Sequence, residues 1–298
     1  VPRVNSLLPI DGSVDGGSTV FISGSGFIGH FDALYKCRFG TVIVEALFDI
    51  SSGMVQCMAP TLPLGMVHVD VSLNNGIDFT DDAVVFQYRA PVRITSIAPK
   101  QGPSNGSTVV LVTGSNFYET ATMACQFGDE TSIYAHFVNE TAIECTNSGQ
   151  QPSDITVSVT MNGVDYVSAT DPSDATFTYS ADPYVTELIP SIVTNNGMTV
   201  VTVLGRNFVF SLDLSCRFGV TVVEATYHNT SAIECTAPSH NMQSNEPVTI
   251  EISNNGHDFT SSGKTVVYTM RPTVHTITPE RLSRTTPTTV VVKGKPFR

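Results

Sequence analysis

The chain has 298 residues and a formal charge of −12, with 15 lysines and arginines against 27 acidic residues. With no basic run or stripe, it lacks the electrostatic footprint that nucleic-acid binding needs. No apolar run approaches the roughly 20 residues that cross a bilayer, so no membrane span is expected in this segment. No leader segment is visible at Val1-Pro2-Arg3, and the chain reads as a mature product or as a segment of something longer.

Charged residues make up 14% of the chain, while Ser, Thr, Val, Asn and Gly abound, the texture of a β protein with many turns. The chain opens on a marker. Pro9 is followed fifteen residues later by Gly24, and three residues further by Phe27. The triplet returns as Pro99, Gly114 and Phe117, as Pro190, Gly205 and Phe208, and as Pro279, Gly294 and Phe297. The repeat is about ninety residues long, which overrides the two-domain prior that length alone gives. Three full copies, 1–90, 91–182 and 183–271, precede the first strands of a fourth at 272–298. A unit of about ninety residues can bury one modest core and fold alone.

Within each copy, apolar positions alternate ahead of the marker proline, as at Ile94 and Ile97. Seven residues after the proline come Gly16, Gly106 and Gly197, behind Asp15, Asn105 and Asn196. These dipeptides supply the positive φ of a tight hairpin turn; the fourth copy has Thr285-Thr286 instead. Strict alternation then predicts a half-buried strand at Val20 and Ile22, Val110 and Val112, Val201 and Val203, and Val290 and Val292. Cys-x-Phe-Gly follows at Cys37, Cys125 and Cys216, and a second cysteine at Cys57, Cys145 and Cys235. Another alternating strand, carried by Val69 and Val71, Val157 and Val159, and Ile250 and Ile252, runs into Asn75-Gly76, Asn162-Gly163 and Asn255-Gly256. Asp78, Asp165 and Asp258 come two residues later, each before an aromatic, and a closing strand ends at Tyr88, Tyr179 and Tyr268.

About seven short strands per copy and no helical periodicity predict an all-β chain of tandem immunoglobulin-like β-sandwiches. There is no tryptophan, so the Cys…Trp…Cys signature of antibody domains is absent. Only three or four residues separate Tyr88 from Pro91, Tyr179 from Pro183 and Tyr268 from Pro272. Such joints predict an elongated rod with limited bending.

Taken in fixed order and three times over, the marker proline, the glycine turn, Gly-x-x-Phe, Cys-x-Phe-Gly and Asn-Gly-x-Asp-Phe resemble the IPT/TIG domain family. The resemblance implies early-set immunoglobulin-like sandwiches. It also implies kinship with the tandems of plexin-like and hepatocyte-growth-factor-receptor-like receptors. The second copy departs from the pattern: Ser148 stands where Pro60 and Pro238 follow the second cysteine, ahead of a longer polar loop, 147–154.

One cysteine pair per copy, separated by 20, 20 and 19 residues, predicts the disulfides Cys37–Cys57, Cys125–Cys145 and Cys216–Cys235. Each closes a loop worth roughly 3 kcal/mol in the chain-entropy model. Such bonds place the chain outside the reducing cytosol, extracellular or at the cell surface. Glycosylation sequons occur at Asn105, Asn139 and Asn229. The last two hold the same position, six residues before the second cysteine, where the first copy has Ser51.

Groups that carry chemistry are missing. There is no Cys-x-x-Cys, no His-x-x-x-His and no phosphate-cradling glycine loop. Asp78, Asp81 and Asp82, and Asp171 with Asp174, offer oxygen ligands for calcium. However, Asp81 and Asp82 become Ser261 and Ser262 in the third copy, so Asp78 reads as a turn cap instead. No catalytic residue, metal site or cofactor is expected, and the chain is not read as an enzyme.

The leading functional reading is a non-catalytic extracellular structural or adhesive rod. Its partners would be other copies of itself or a continuation of the same chain. The alternative is a segment of a plexin-like receptor ectodomain that binds a protein ligand. The fourth copy bears on both, because strands at 272–298 have no sheet to join. Val290, Val291 and Val292 are expected to expose an apolar face and unpaired backbone. Either the chain continues beyond Arg298 and completes a fourth domain, or these strands complete a sheet in a neighbour, head to tail, as in a fibre. Of the two, a longer native chain is favoured.

Overall fold

The computed structural model of the chain describes residues 1–27, 34–132, 134–241, 247–281, 287 and 289–295. Among these residues the only helical element is a 3-10 turn at Pro172–Asp174. The chain forms two compact units, Val1–Gln101 with Asn105–Tyr179, and Gly102–Ser104 with Ser180–Arg298.

The first repeat shows how alternation becomes a sandwich. One layer takes Arg3–Leu8, Thr19–Ser25 and Met54–Met58. The other takes Lys36–Phe39, Gly65–Ser72, Val85–Arg89 and the short strand Asp11–Ser13, which runs parallel to Val85–Arg89. Val42–Asp49 belongs to both layers. Its first half pairs with Lys36–Phe39, its second half with Met54–Met58. Inward residues of the two layers meet as one core: Val20, Ile22, Phe39, Val55, Val69, Val71 and Phe86 are fully buried.

The third repeat has the same order of eight strands, with Thr221–Asn229 changing layer. In the second repeat the layer-changing strand is in two pieces, Glu130–Thr131 and Tyr134–Asn139. Each of the three repeats has its own apolar core. Among the described residues the first and third repeats thus have eight strands, against the expected seven or so. The extra one is the three-residue strand after the marker proline, too short for its period to show in the sequence.

The glycine turn at Gly16, Gly106 and Gly197 is not a hairpin. All three glycines have the expected positive φ, 73°, 78° and 77°. However, the strands they join lie in different layers: Asp11–Ser13 pairs with Val85–Arg89, and Thr19–Ser25 pairs with Arg3–Leu8 and Met54–Met58. The turn carries the chain across the sandwich. A Cβ on Gly16 would lie 2.7 Å from the Ala59 carbonyl oxygen, so the turn is seated on the loop after Cys57. Thr285-Thr286 lies outside the described residues.

The fourth repeat supplies one hairpin, Thr273–Thr278 with Val291–Lys295. Val290 precedes that strand by one residue. Ile277 pairs with Val292 as Leu7 pairs with Ile22 in the first repeat. The buried counterparts are 5% and 0% exposed, whereas Ile277 and Val292 are 49% and 45% exposed. Among the described residues the hairpin thus matches the first two strands of the first layer in the other repeats, with its core-side residues exposed.

Candidate functional sites

The marker triplet has a steric cause. Gly24, Gly114 and Gly205 each pair across the sheet with Val4, Ile94 and Val185, beside a one-residue bulge at Asn5, Thr95 and Thr186. A Cβ on these glycines would lie 2.1, 2.0 and 2.1 Å from the carbonyl oxygens of Arg3, Arg93 and Tyr184. It would also lie 2.5, 2.7 and 2.5 Å from the ring tips of Phe27, Phe117 and Phe208. The phenylalanine three residues on folds back over the glycine, so the spacing is a packing constraint. Gly294 pairs with Val274 beside the same bulge, at His275. The fourth copy therefore starts the same fold, although Phe297 lies outside the described residues.

The structure joins Cys37 to Cys57, Cys125 to Cys145 and Cys216 to Cys235, with Cα separations of 6.3, 6.2 and 6.3 Å. In each pair the two cysteines belong to opposite layers. Cys37 faces Val44 and Cys57 faces Ala46, on the two halves of the layer-changing strand. All six are at most 3% exposed, so each bond runs through the centre of a core.

A tyrosine secures the far end of each core. The hydroxyls of Tyr88, Tyr179 and Tyr268 donate to the carbonyl oxygens of Pro60, Ser148 and Pro238, at 2.8, 2.9 and 3.1 Å. Ser148 does this although the proline is missing, because the bond needs only the backbone carbonyl. Burial pushes the phenols of Tyr88 and Tyr179 up to about 12 and raises that of Tyr268. A folded value above the unfolded one, about 10, means that the stabilisation is whole below about 10 and falls as pH rises towards 12. Unfolding monitored by circular dichroism should therefore show stability falling from pH 10 to 12. A flat profile there would contradict this role for the phenols.

Asp165 and Asp258 cap the Asn-Gly turn as expected. Asn162 and Asn255 accept from the aspartate N–H at 2.9 and 2.8 Å and donate to its carboxylate at 2.8 Å. In the first repeat the partner of Asp78 is Asn74, not Asn75. One extra residue is absorbed there by Asn75, which takes a φ of 62°. Asp82 accepts from the Val4 N–H at 2.7 Å and from Arg3, and Asp171 accepts from Ser173. Among the described residues no group of three or more His, Cys, Asp or Glu side chains could hold a metal ion.

The sequons lie at the surface. Asn139 and Asn229 are exposed at the same turn, and each side-chain oxygen accepts from the N–H and hydroxyl two residues on, Thr141 and Ser231. The first-repeat counterpart is Asp49, whose carboxylate accepts from Ser51 in the same way, not Ser51 itself. A longer turn, 50–53, moves the position relative to Cys57. The hydroxyls of Ser51 and then Ser52 hold the Asp49 carboxyl down at about 2. Asn105 is exposed too, beside a turn so tight that a Cβ on Gly106 would lie 2.4 Å from the Gly149 nitrogen.

One cluster is not marked by the repeat pattern. Asp11 and Arg89 of the first repeat meet Tyr118 and Asn162 of the second, next to a cleft of about 500 Å³. Asp11, Arg89 and Tyr118 have no like residue at the equivalent positions of the other repeats, so periodicity does not point to them. Asp11 nevertheless puts a charge where the second and third repeats have Gln101 and Ile192.

Comparison with known proteins agrees with this architecture. The model of the IPT/TIG domain family matches residues 2–88, 91–179 and 183–268. Human plexin-A3 is 25% identical over 250 residues, 80% of this chain and 13% of that protein. Mouse fibrocystin-L is 29% identical over 153 residues, 50% of this chain and 4% of that protein. The solved full extracellular region of plexin A4 is similar over 93% of this chain and 25% of that one, with a TM-score of 0.46 and 20% identity. The chain thus spans a small part of the length of these relatives.

Proposed function

Because this chain belongs to the IPT/TIG domain family, we propose that it is a non-catalytic extracellular segment of a larger cell-surface protein of the receptor kind. In this role its sandwiches carry and space a surface that binds a protein ligand. The observation that carries the reading is the bond through the centre of each of three cores, since such bonds persist outside the reducing cytosol. The similarity to plexin-A3 over 80% of the chain supports the receptor side of the reading. N-linked glycans at Asn105, Asn139 and Asn229 belong to the same proposal. The asparagines at the shared turn already hold the sequon hydroxyl against the acceptor side chain.

Antibodies against the third repeat should label intact, unpermeabilised cells. Removal of N-glycans should increase the mobility of the labelled polypeptide, and Asn139→Gln with Asn229→Gln should abolish most of that shift. Labelling only after permeabilisation, with no shift, would overturn the proposal.

A second reading, assembly through the fourth repeat, rests on the open hairpin. Val274, Ile277, Val291 and Val292 are each 45–55% exposed, on a sheet that has two strands among the described residues. A structural or adhesive fibre would require another copy to close that face; in the receptor reading later residues of the same polypeptide close it. Sedimentation of the purified chain separates the two. Association that rises with concentration and is lost in Val292→Lys supports head-to-tail assembly. A monomer at every concentration counts against it.

A further inference from the structure

The polar cluster between the first two repeats has the build of a lock. Asp11 is 3% exposed, and each of its acceptor atoms is used. Oδ2 accepts from Arg89 Nε at 3.0 Å, Oδ1 from the Tyr118 hydroxyl at 3.1 Å, and the backbone oxygen from Asn162 Nδ2 at 2.9 Å. Asn162 also donates to Asp165, which accepts from the Ser18 hydroxyl at 2.7 Å. The Arg89 guanidinium lies 4.1 Å from the Tyr118 ring centroid.

A buried carboxylate is tolerated only when it is paired and hydrogen-bonded. The first repeat supplies Arg89; the remaining donors to Asp11, Tyr118 and Asn162, come from the second. Swinging the repeats apart would strip Asp11 of two donors, Asp165 of one, and Arg89 of its aromatic face. Burial and the Asp11 charge together raise the Tyr118 phenol, so it stays a donor throughout the physiological range. These side chains occur together once: the positions of Asp11 and Arg89 hold Gln101 and Ser180 in the second repeat, and the position of Tyr118 holds Val209 in the third.

We infer that Asp11 and its donors fix the angle between the first two repeats, so that the pair turns in solution as one rigid body and presents its surfaces in one arrangement. The inference is independent of the ligand and of the cellular location proposed above.

Residual dipolar couplings on the isotopically labelled full chain test it. Alignment tensors fitted separately to the strand N–H vectors of repeats 1 and 2 should agree in magnitude and orientation in the wild type. In Asp11→Asn with Tyr118→Phe they should diverge. Tyr118→Phe alone removes one hydroxyl and keeps the ring against the core, so both repeats stay folded; it should give a smaller divergence. Different tensors in the wild type would overturn the inference, as would equal tensors in both variants.

Discussion

Gly114→Ala is expected to destabilise the second repeat by about 3 kcal/mol or more. The new methyl would lie 2.0 Å from the Arg93 carbonyl oxygen and 2.7 Å from the Phe117 ring. The first is backbone, held in register by the pairing of Gly114 with Ile94, and cannot step aside as a side-chain end could. The second is a fully buried ring whose displacement would open a void in the core. Gly53→Ala is the control. Unlike Gly114, Gly53 has a positive φ, 69°, and no atom lies within 4 Å of its added methyl. Its cost should be only that of the backbone conformation, on the order of 1 kcal/mol. Calorimetry of the two variants separates packing from backbone preference. A loss at Gly114 no larger than that at Gly53 would contradict the steric account.

Replacing Cys125 and Cys145 together by alanine should cost the second repeat roughly 3 kcal/mol through the unfolded chain, since their bond closes a loop of 20 residues. A loss of that size is a large fraction of the stability of a small domain and lowers its melting temperature by roughly 10–25 °C. The sandwich itself should survive at room temperature. The pair lies within a core that also holds Phe127, Ile143, Val157, Val159 and Phe177, and both layers are hydrogen-bonded independently of it. Calorimetry should give the transition of the second repeat the same shift in wild type with reductant, where all three bonds are open, as in the variant without it. No shift in either would mean that the cystine adds nothing to this fold.

Much of the architecture was readable from the sequence because it repeats. A side chain that must be buried in each copy, such as Val20, Val110 and Val201, leaves the same residue type at the same offset. What escaped the reading was set by long-range partners. Asp-Gly looks alike whether the next strand pairs with the last one or crosses to the other layer, and only the pairing of Asp11–Ser13 with Val85–Arg89 decides. Offsets counted from a cysteine or a glycine also slip where one copy has extra residues. That is why the counterpart of Asn139 is Asp49 rather than Ser51, and the partner of Asp78 is Asn74 rather than Asn75. The Asp11 cluster joins residues 78 and 107 positions apart, each of a type its counterparts lack, so periodicity could not point to it.

Peptide mapping without reduction, on protein purified from its native source and alkylated before digestion, is the most direct test of an extracellular, stapled three-repeat segment. The expected result is no alkylated cysteine, and three linked peptide pairs joining Cys37 to Cys57, Cys125 to Cys145 and Cys216 to Cys235. Free, alkylated cysteines, or links between different repeats, would contradict both the sandwich assignment of the bonds and the location inferred from them.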